Sequence, residues 1–389
     1  MRILIAGYPY IREYYFKTFD YYPRKDSIFF LLPKTWKAKG GKVIFNPLDR
    51  KNVFKTKAFF YHSNYFLIGG VFKGLMPALP LYIRKVFKER NGILYSPSEP
   101  ILLTTLYQGI CAKIFGLKHV IFTWENIDYK NKFKGANGFI KNLILKLNLF
   151  FCDGIICGNK KSKEIFSRLT HKPIRIIPIS GIDTDYFKPR TNTKTSYELG
   201  DKIVYTFAGA LGYRKGVHLI LAAFRKIVSK IPNAHLVIIG SGEDKQYEKE
   251  LEKDIGRLGI KNHLTRTSWV GHEKLLDILS ASDIFLYPSI AHKGWEEQFG
   301  YSIAEASLMR LPVISTTSGS IEEVVVNEAT GILIRPDSVK DLEEAMIKLG
   351  EDESLRHNLG TRGREFIEER YSYSKIAEQF YSFFELIYG

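Results

Sequence analysis

Glu297 and Glu305 bracket a Phe299-Gly300 turn in the segment EQFGYSIAEA, residues 297–306. The run IFLYPS just upstream reads as the end of a strand, and the apolar spacing after Gly300 reads as the start of a helix. A chain that turns into a helix at Gly300 leaves the N–H groups of Tyr301, Ser302 and Ile303 without intrahelical partners. Those donors and the helix dipole make a site for an anion such as phosphate. Glu305 lies about one turn inside, and helical side chains lean toward the N-terminus, so its carboxylate reaches a ligand held there. Its two oxygens suit the two hydroxyls of a ribose. Glu297, on the loop before, faces whatever sugar is attached to that phosphate. Alone, two glutamates would be solvated helix ends; the strand, glycine turn and helix around them argue for a site.

A second cluster is FAGALGYRKG, residues 207–216, where a strand runs into a glycine-containing loop carrying Arg214 and Lys215. Two cations at the carboxyl end of a parallel strand stand where open α/β sheets bind ligands, and they can neutralise a leaving diphosphate. The segment IIGSGED (238–244) has part of a GxGxxG pattern but lacks the last glycine, so a plain strand-to-helix turn explains it. Asp183-Thr184-Asp185 has the form of a DxD metal motif but falls in a turn-rich connection, which favours a structural role. None of the nine histidines has HxxxH or HExxH spacing, so no metal site is expected; His292, near the glutamate loop, is a candidate lining residue. No GxSxG or Cys/His/Asp arrangement points to a covalent nucleophile.

The elements that must carry these clusters alternate regularly. Short apolar runs at Arg2–Ala6, Ile28–Leu32, Lys42–Phe45, Gly92–Tyr95, Val120–Thr123 and Gly154–Cys157 read as buried strands. The rhythm breaks at GIDTDYFKP and restarts with Ile203–Ala208, His235–Ile239, Leu264–Trp269, Ile284–Tyr287, Pro312–Ser315 and Gly331–Ile334. Helical patterns, among them Gly216–Ile231, Asp244–Gly256, His272–Ser280 and Lys340–Gly350, lie between. Alternating strand and helix predicts two doubly wound α/β domains of Rossmann type in a chain of 389 residues. Three cysteines without CxxC spacing exclude a disulfide framework and fit a reducing compartment. The opening MRILIAGYPY reads as a first strand rather than a signal peptide. The stretch Tyr65–Ile83 carries Lys73 as its sole charge, but Lys73, Pro77 and Pro80 favour a helix and turn over a membrane span.

The series FAGALGYRKG, VIIGSGED, VGHEKLLDILSASDIFLYPS, EQFGYSIAEASLMRLPVIST and TGILIRP resembles family 4 of the glycosyltransferases across residues 203–370. That resemblance implies the GT-B fold: two Rossmann-like domains facing each other across a cleft, with a retaining, nucleotide-sugar-dependent activity. It implies an N-terminal acceptor-side domain over 1–188, a donor-binding domain over 189–371, and a C-terminal helix, about 372–389, returning to the first. Carried onto this chain, it implies that Glu305 holds the ribose and Glu297 contacts the transferred sugar. The backbone of Phe299, Gly300, Tyr301 and Ser302 would approach the sugar and diphosphate, and Lys215 would bind the diphosphate. The base would lie against the loop containing Val270 and Gly271, with Gly209 in the loop beside it. Two departures stand out. Ala210 occupies a position where many members have arginine, which leaves Arg214 as the substitute. IFTWENID places Glu125 or Asn126 where many members have an N-domain histidine, as acceptor-side candidates.

The expected activity is therefore transfer of a sugar, with retention, from a nucleoside diphosphate donor, needing no cofactor and no metal. A GT-B nucleotide-sugar epimerase and a non-catalytic membrane or nucleic-acid binder are the alternatives. Charge points to the acceptor. Residues 1–195 hold 34 Lys and Arg against 12 Asp and Glu, a net of +22, while the rest of the chain sums to −6. Basic residues interleave with apolar ones in Phe54–Phe60, Ile83–Arg90 and Phe139–Phe151, as suits an anionic membrane surface. Nothing resembles a nucleic-acid-binding module. The expectation is a lipid-linked acceptor, or a polysaccharide or glycolipid precursor, met from the cytoplasm at the inner face of the cell membrane.

Overall fold

The structure, a computed structural model, describes all residues except 39–40, 44–49, 61–69, 192 and 243. It divides into two compact units, residues 1–182 with 373–389 and residues 183–372. Strands of the first are β1 (Ile3–Ala6), β2 (Ile28–Pro33), β3 (Trp36–Ala38), β4 (Gly41–Val43), β5 (Val53–Thr56), β6 (Ile93–Ser96), β7 (Lys118–Thr123), β8 (Gly154–Cys157) and β9 (Ile174–Ile176). Seven of them form a parallel sheet in the order β5-β2-β1-β6-β7-β8-β9, and β3 and β4 pair antiparallel apart from it. In the second unit β10 (Ile203–Ala208), β11 (Ala234–Ile239), β12 (Leu264–Thr267), β13 (Ile284–Tyr287), β14 (Val313–Thr316) and β15 (Gly331–Ile334) form a parallel sheet ordered β12-β11-β10-β13-β14-β15.

Both sheets are doubly wound, and the reason is visible in strand composition. IVYTFA and AHLVII are apolar on both faces, as strands covered by helices on either side must be. The strand order reverses between β1 and β6 in one sheet and between β10 and β13 in the other. Loops leaving the carboxyl ends of such neighbours diverge and open a crevice, the standard ligand position in these folds.

The helix Tyr373–Tyr388 belongs to the first unit. Phe380, Phe383 and Phe384 are fully buried, with Phe380 5.1 Å from the ring of Phe19 and Phe384 5.6 Å from that of Tyr95. Gly154 lacks the Cβ that would stand 2.5 Å from Ile387 Cδ1, so the end of this helix seats directly on β8.

Several local expectations shift. Two edge strands lie outside the expected set: β5, which places Lys55 beside its apolar residues, and β9, only three residues long and half-exposed. The strand expected at Lys42–Phe45 is a short hairpin arm ending at Val43, and residues 44–45 lie outside the described ones. Of Tyr65–Ile83, residues 65–69 also lie outside; the helix there begins only at Leu79, after Pro77. Among the described residues, no helix is long and apolar enough to cross a membrane.

Candidate active site

The loops after β10 and β13 leave adjacent parallel strands at the point where the order reverses, and this brings Lys215 to Glu297. Both side chains are buried, Lys215 6% and Glu297 7% exposed, and Lys215 Nζ lies 2.5 Å from Glu297 Oε2. Tyr287, the last residue of β13, donates its hydroxyl to the same carboxylate oxygen at 3.0 Å and also contacts Lys215 Nζ. Burial first, then the Glu297 charge, raise the Tyr287 phenol well above its ordinary pKa, so it stays protonated and donates. Arg214 lies 3.9 Å over the ring of Trp295, and Lys215 Nζ is 5.0 Å from the same ring.

Glycines make this loop geometry possible. Gly216 has φ +69°, and a Cβ there would fall 2.1 Å from the Pro288 carbonyl oxygen. Gly319 has φ +64°, and a Cβ there would fall 2.1 Å from the Glu297 carbonyl oxygen, which accepts from Ser320 N–H at 2.9 Å. The loop after β14 therefore lies directly on the backbone of Glu297. In the second loop layer, a Cβ on Gly240 would meet the Gly209 carbonyl at 1.9 Å, while Gly209 N–H donates to Ile239.

Gly300 caps the helix Tyr301–Leu308 with φ +89°. Ile303 N–H donates to the Gly300 carbonyl at 2.9 Å, so it is not the open amide expected at this helix start. The first turn is tight, and Ile303 drops out of it. Phe299 is buried with its ring edge-on to Tyr371. Glu305 shares a pocket with Ser302, Val270 and Trp269, walled by Ala208, Ile239 and Phe285. Burial among these apolar groups pushes the Glu305 carboxyl up to about 7. Among the described residues no opposite charge offsets it there. Trp269 is largely exposed, a ring available for stacking, and Gly271 is the exposed N-cap of His272–Ser280.

The structure thus groups Lys215 with Glu297, and Glu305 with Ser302 and Val270. Tyr287, Trp295 and Gly319 complete the surroundings and were not anticipated; an aromatic at a strand end gives a weak signal, and Gly319 gives none without its neighbour. His292 is tied to Trp295 by a pair of backbone hydrogen bonds and packs against Tyr213. Asp183 accepts from Tyr186 N–H and Asp185 pairs with Lys188, as turn residues do. Among the described residues no three His, Cys, Asp or Glu side chains are grouped to hold a metal ion.

In the first unit Glu125 and Asn126 are buried at the carboxyl end of β7, and Glu125 pairs with Lys132 at 2.6 Å. Glu99, unremarked in the sequence, organises this loop. Its carboxylate accepts from Thr123 Oγ1 at 2.7 Å, Trp124 N–H at 2.8 Å and the Tyr129 hydroxyl at 3.2 Å. Burial raises its carboxyl to about 7 against those donors.

Residues 189–366 match the family profile described as Glycosyl transferases group 1. A phosphatidylinositol N-acetylglucosaminyltransferase GPI3 subunit of Saccharomyces cerevisiae (strain YJM789) is 28% identical over 302 residues, 74% of this chain and 62% of that protein. A GDP-mannose-dependent alpha-(1-6)-phosphatidylinositol monomannoside mannosyltransferase of Mycobacterium tuberculosis is 28% identical over 209 residues, 52% of this chain and 54% of that protein. The matches therefore span between half and two thirds of these curated relatives. The Anabaena protein Alr3699/HepE, solved in complex with UDP, superposes with a TM-score of 0.78 at 18% identity, covering 99% of this chain and 100% of that one. That likeness shows the fold, GT-B.

Proposed function

We propose, starting from the match of residues 189–366 to the group 1 glycosyl transferases, that this chain moves a hexosyl group from a nucleoside diphosphate sugar to an acceptor with retention of anomeric configuration. The observation that carries the reading is the buried Lys215–Glu297–Tyr287 cluster beside the Glu305 pocket at one sheet reversal. In the proposed complex the ribose hydroxyls donate to Glu305, the base stacks at Trp269 and Val270, and the diphosphate meets Lys215, Arg214 and the helix start at Gly300. Lys215 is held by Glu297 in the free protein; an incoming diphosphate becomes a second anionic partner for the same ammonium. As the sugar–oxygen bond breaks, the sugar gains oxocarbenium character and the diphosphate gains charge. Fixed cations and amides stabilise that charge without reorganisation. The acceptor hydroxyl attacks from the same face, and its proton passes to the departing phosphate oxygen. Protein cations fill the role of a divalent metal in this scheme, and neither an added cofactor nor a metal is invoked.

The acceptor belongs to the first unit in this reading, with Glu125 and Asn126 as its candidate contacts. Two relatives are named for phosphatidylinositol-based acceptors, and the +22 half supports a lipid-linked or membrane-borne acceptor here as well. The protein would work peripherally on the inner membrane face, without nucleic acid. An epimerase finds no support in the comparisons. Incubation with labelled UDP- and GDP-sugars and a membrane lipid extract should yield a glycolipid and raise the melting temperature with the accepted donor. No stabilisation by any such donor, with no transfer, would overturn the reading.

A further inference from the structure

The helix Gly135–Phe151 is apolar on two opposite faces. Ile144, Leu145 and Leu149 are buried and, with Asn148, form one face; Leu145 and Leu149 join the core that contains Ile121, Ile155 and Phe166. At 100° per residue, Phe139, Ile140, Leu143, Leu147 and Phe150 fall within one arc on the far side. They are exposed: Phe139 72%, Ile140 52%, Leu143 50%, Leu147 38% and Phe150 74%. The neighbouring helix Leu103–Ile114 also exposes Ile110 and Ile114. A helix apolar all round is normally buried all round, so this outer stripe needs a cover.

Charge identifies the cover. From Tyr129 to Phe151 the chain has five lysines and no acidic residue, and Lys130, Lys134 and Lys146 are exposed. The other two basic stretches do not offer such a surface. Ile83, Val86 and Phe87 are buried in the core of the first unit and Phe54 packs against it. We infer that Gly135–Phe151 is the element that docks on anionic lipid, lying in the plane of the interface with Phe139, Leu143 and Phe150 among the acyl chains and its lysines at the headgroups. This rests on the membrane-borne acceptor proposed above and assigns it to one helix.

The test is co-sedimentation of the full chain with vesicles of phosphatidylcholine alone, or of equal parts phosphatidylcholine and phosphatidylglycerol. Binding is expected for the anionic vesicles and should weaken with salt. Phe139→Ser with Phe150→Ser should lower the affinity at least tenfold, and Lys134→Gln or Lys146→Gln about fivefold each. The three cysteines are buried, so Leu143→Cys can carry a polarity-sensitive fluorophore, whose emission should shift to the blue on anionic vesicles. Unchanged binding by the double variant, or no fluorophore shift while the protein sediments, would overturn the inference. A wild-type dimer that the double variant turns into a monomer would do so too, by giving the face to a second copy. Nucleoside diphosphate binding is measured in parallel: vesicle docking without it supports this assignment while removing the transferase reading.

Discussion

Glu305→Gln should make the protein more stable at high pH, and the size follows from one carboxyl. In the folded chain that carboxyl is raised to about 7, against an ordinary value of 4.5. A raised carboxyl binds more protons in the folded state than in the unfolded one between those two values, so stability is full below pH 4.5 and falls as pH climbs toward 7. The interval corresponds to about 3 kcal/mol, reduced to about 2 because Glu305 is partly exposed to solvent. Glutamine keeps the shape and never ionises. The variant should therefore melt about 4–8 °C higher than the wild type at pH 8.5, for a unit of this size, and together with it near pH 4. Glu99 is raised as well and contributes its own slope, but it is the same in both proteins and cancels in the difference. Parallel melting curves across the whole pH range would mean that Glu305 is not desolvated, and the argument for a waiting carboxylate would collapse.

The same residue should fail in binding: Glu305→Ala is expected to weaken the accepted nucleotide-sugar by about 1.5–3 kcal/mol in calorimetry, the worth of hydrogen bonds to a charged group. Because an ionised Glu305 is the acceptor, wild-type affinity should fall about tenfold from pH 8 to pH 6 while Glu305→Gln stays flat; a flat wild-type profile would contradict this. Lys215→Ala should slow turnover roughly 100-fold, measured as initial transfer rate, and a normal rate would remove Lys215 from the chemistry. Gly319→Ala drives a Cβ into the Glu297 backbone, so a loss of about 1–3 kcal/mol in stability and a drop in transfer rate are expected together. Excess EDTA should leave transfer unchanged; a loss restored by Mn²⁺ would refute the protein-cation scheme.

What could be read from the sequence was what depends on near neighbours. β10, β13 and β15 are continuous apolar runs closed by turn residues, and their limits match the pattern. Gly300 and the apolar spacing behind it locate the helix start without any tertiary information. The approach of Lys215 to Glu297, 82 positions away, follows only from the order β10-β13 in the sheet. Edge strands escape because β9 is half-exposed and β5 places Lys55 among its apolar residues. Glu99 is the clearest case: SPSEP gives no hint that its glutamate will be enclosed by Thr123, Trp124 and Tyr129. The Ile303 amide is taken up because the first turn closes on Gly300, a choice made by backbone geometry rather than by residue type.

The closing helix Tyr373–Tyr388 sets an order of events on the ribosome. The first unit needs Phe380, Phe383 and Phe384 beside Phe19 and Tyr95, yet these rings are synthesised after the whole of the second unit. At ordinary elongation rates the two parts of its core are separated by about 10–40 s of translation. During that interval the second unit can fold by itself, while the nascent first sheet waits with Tyr10, Phe19 and Tyr95 uncovered. A premature stop before Tyr373 would leave the second unit whole and its companion unsealed. Chaperones and proteases would then meet a first unit whose core lacks these three rings.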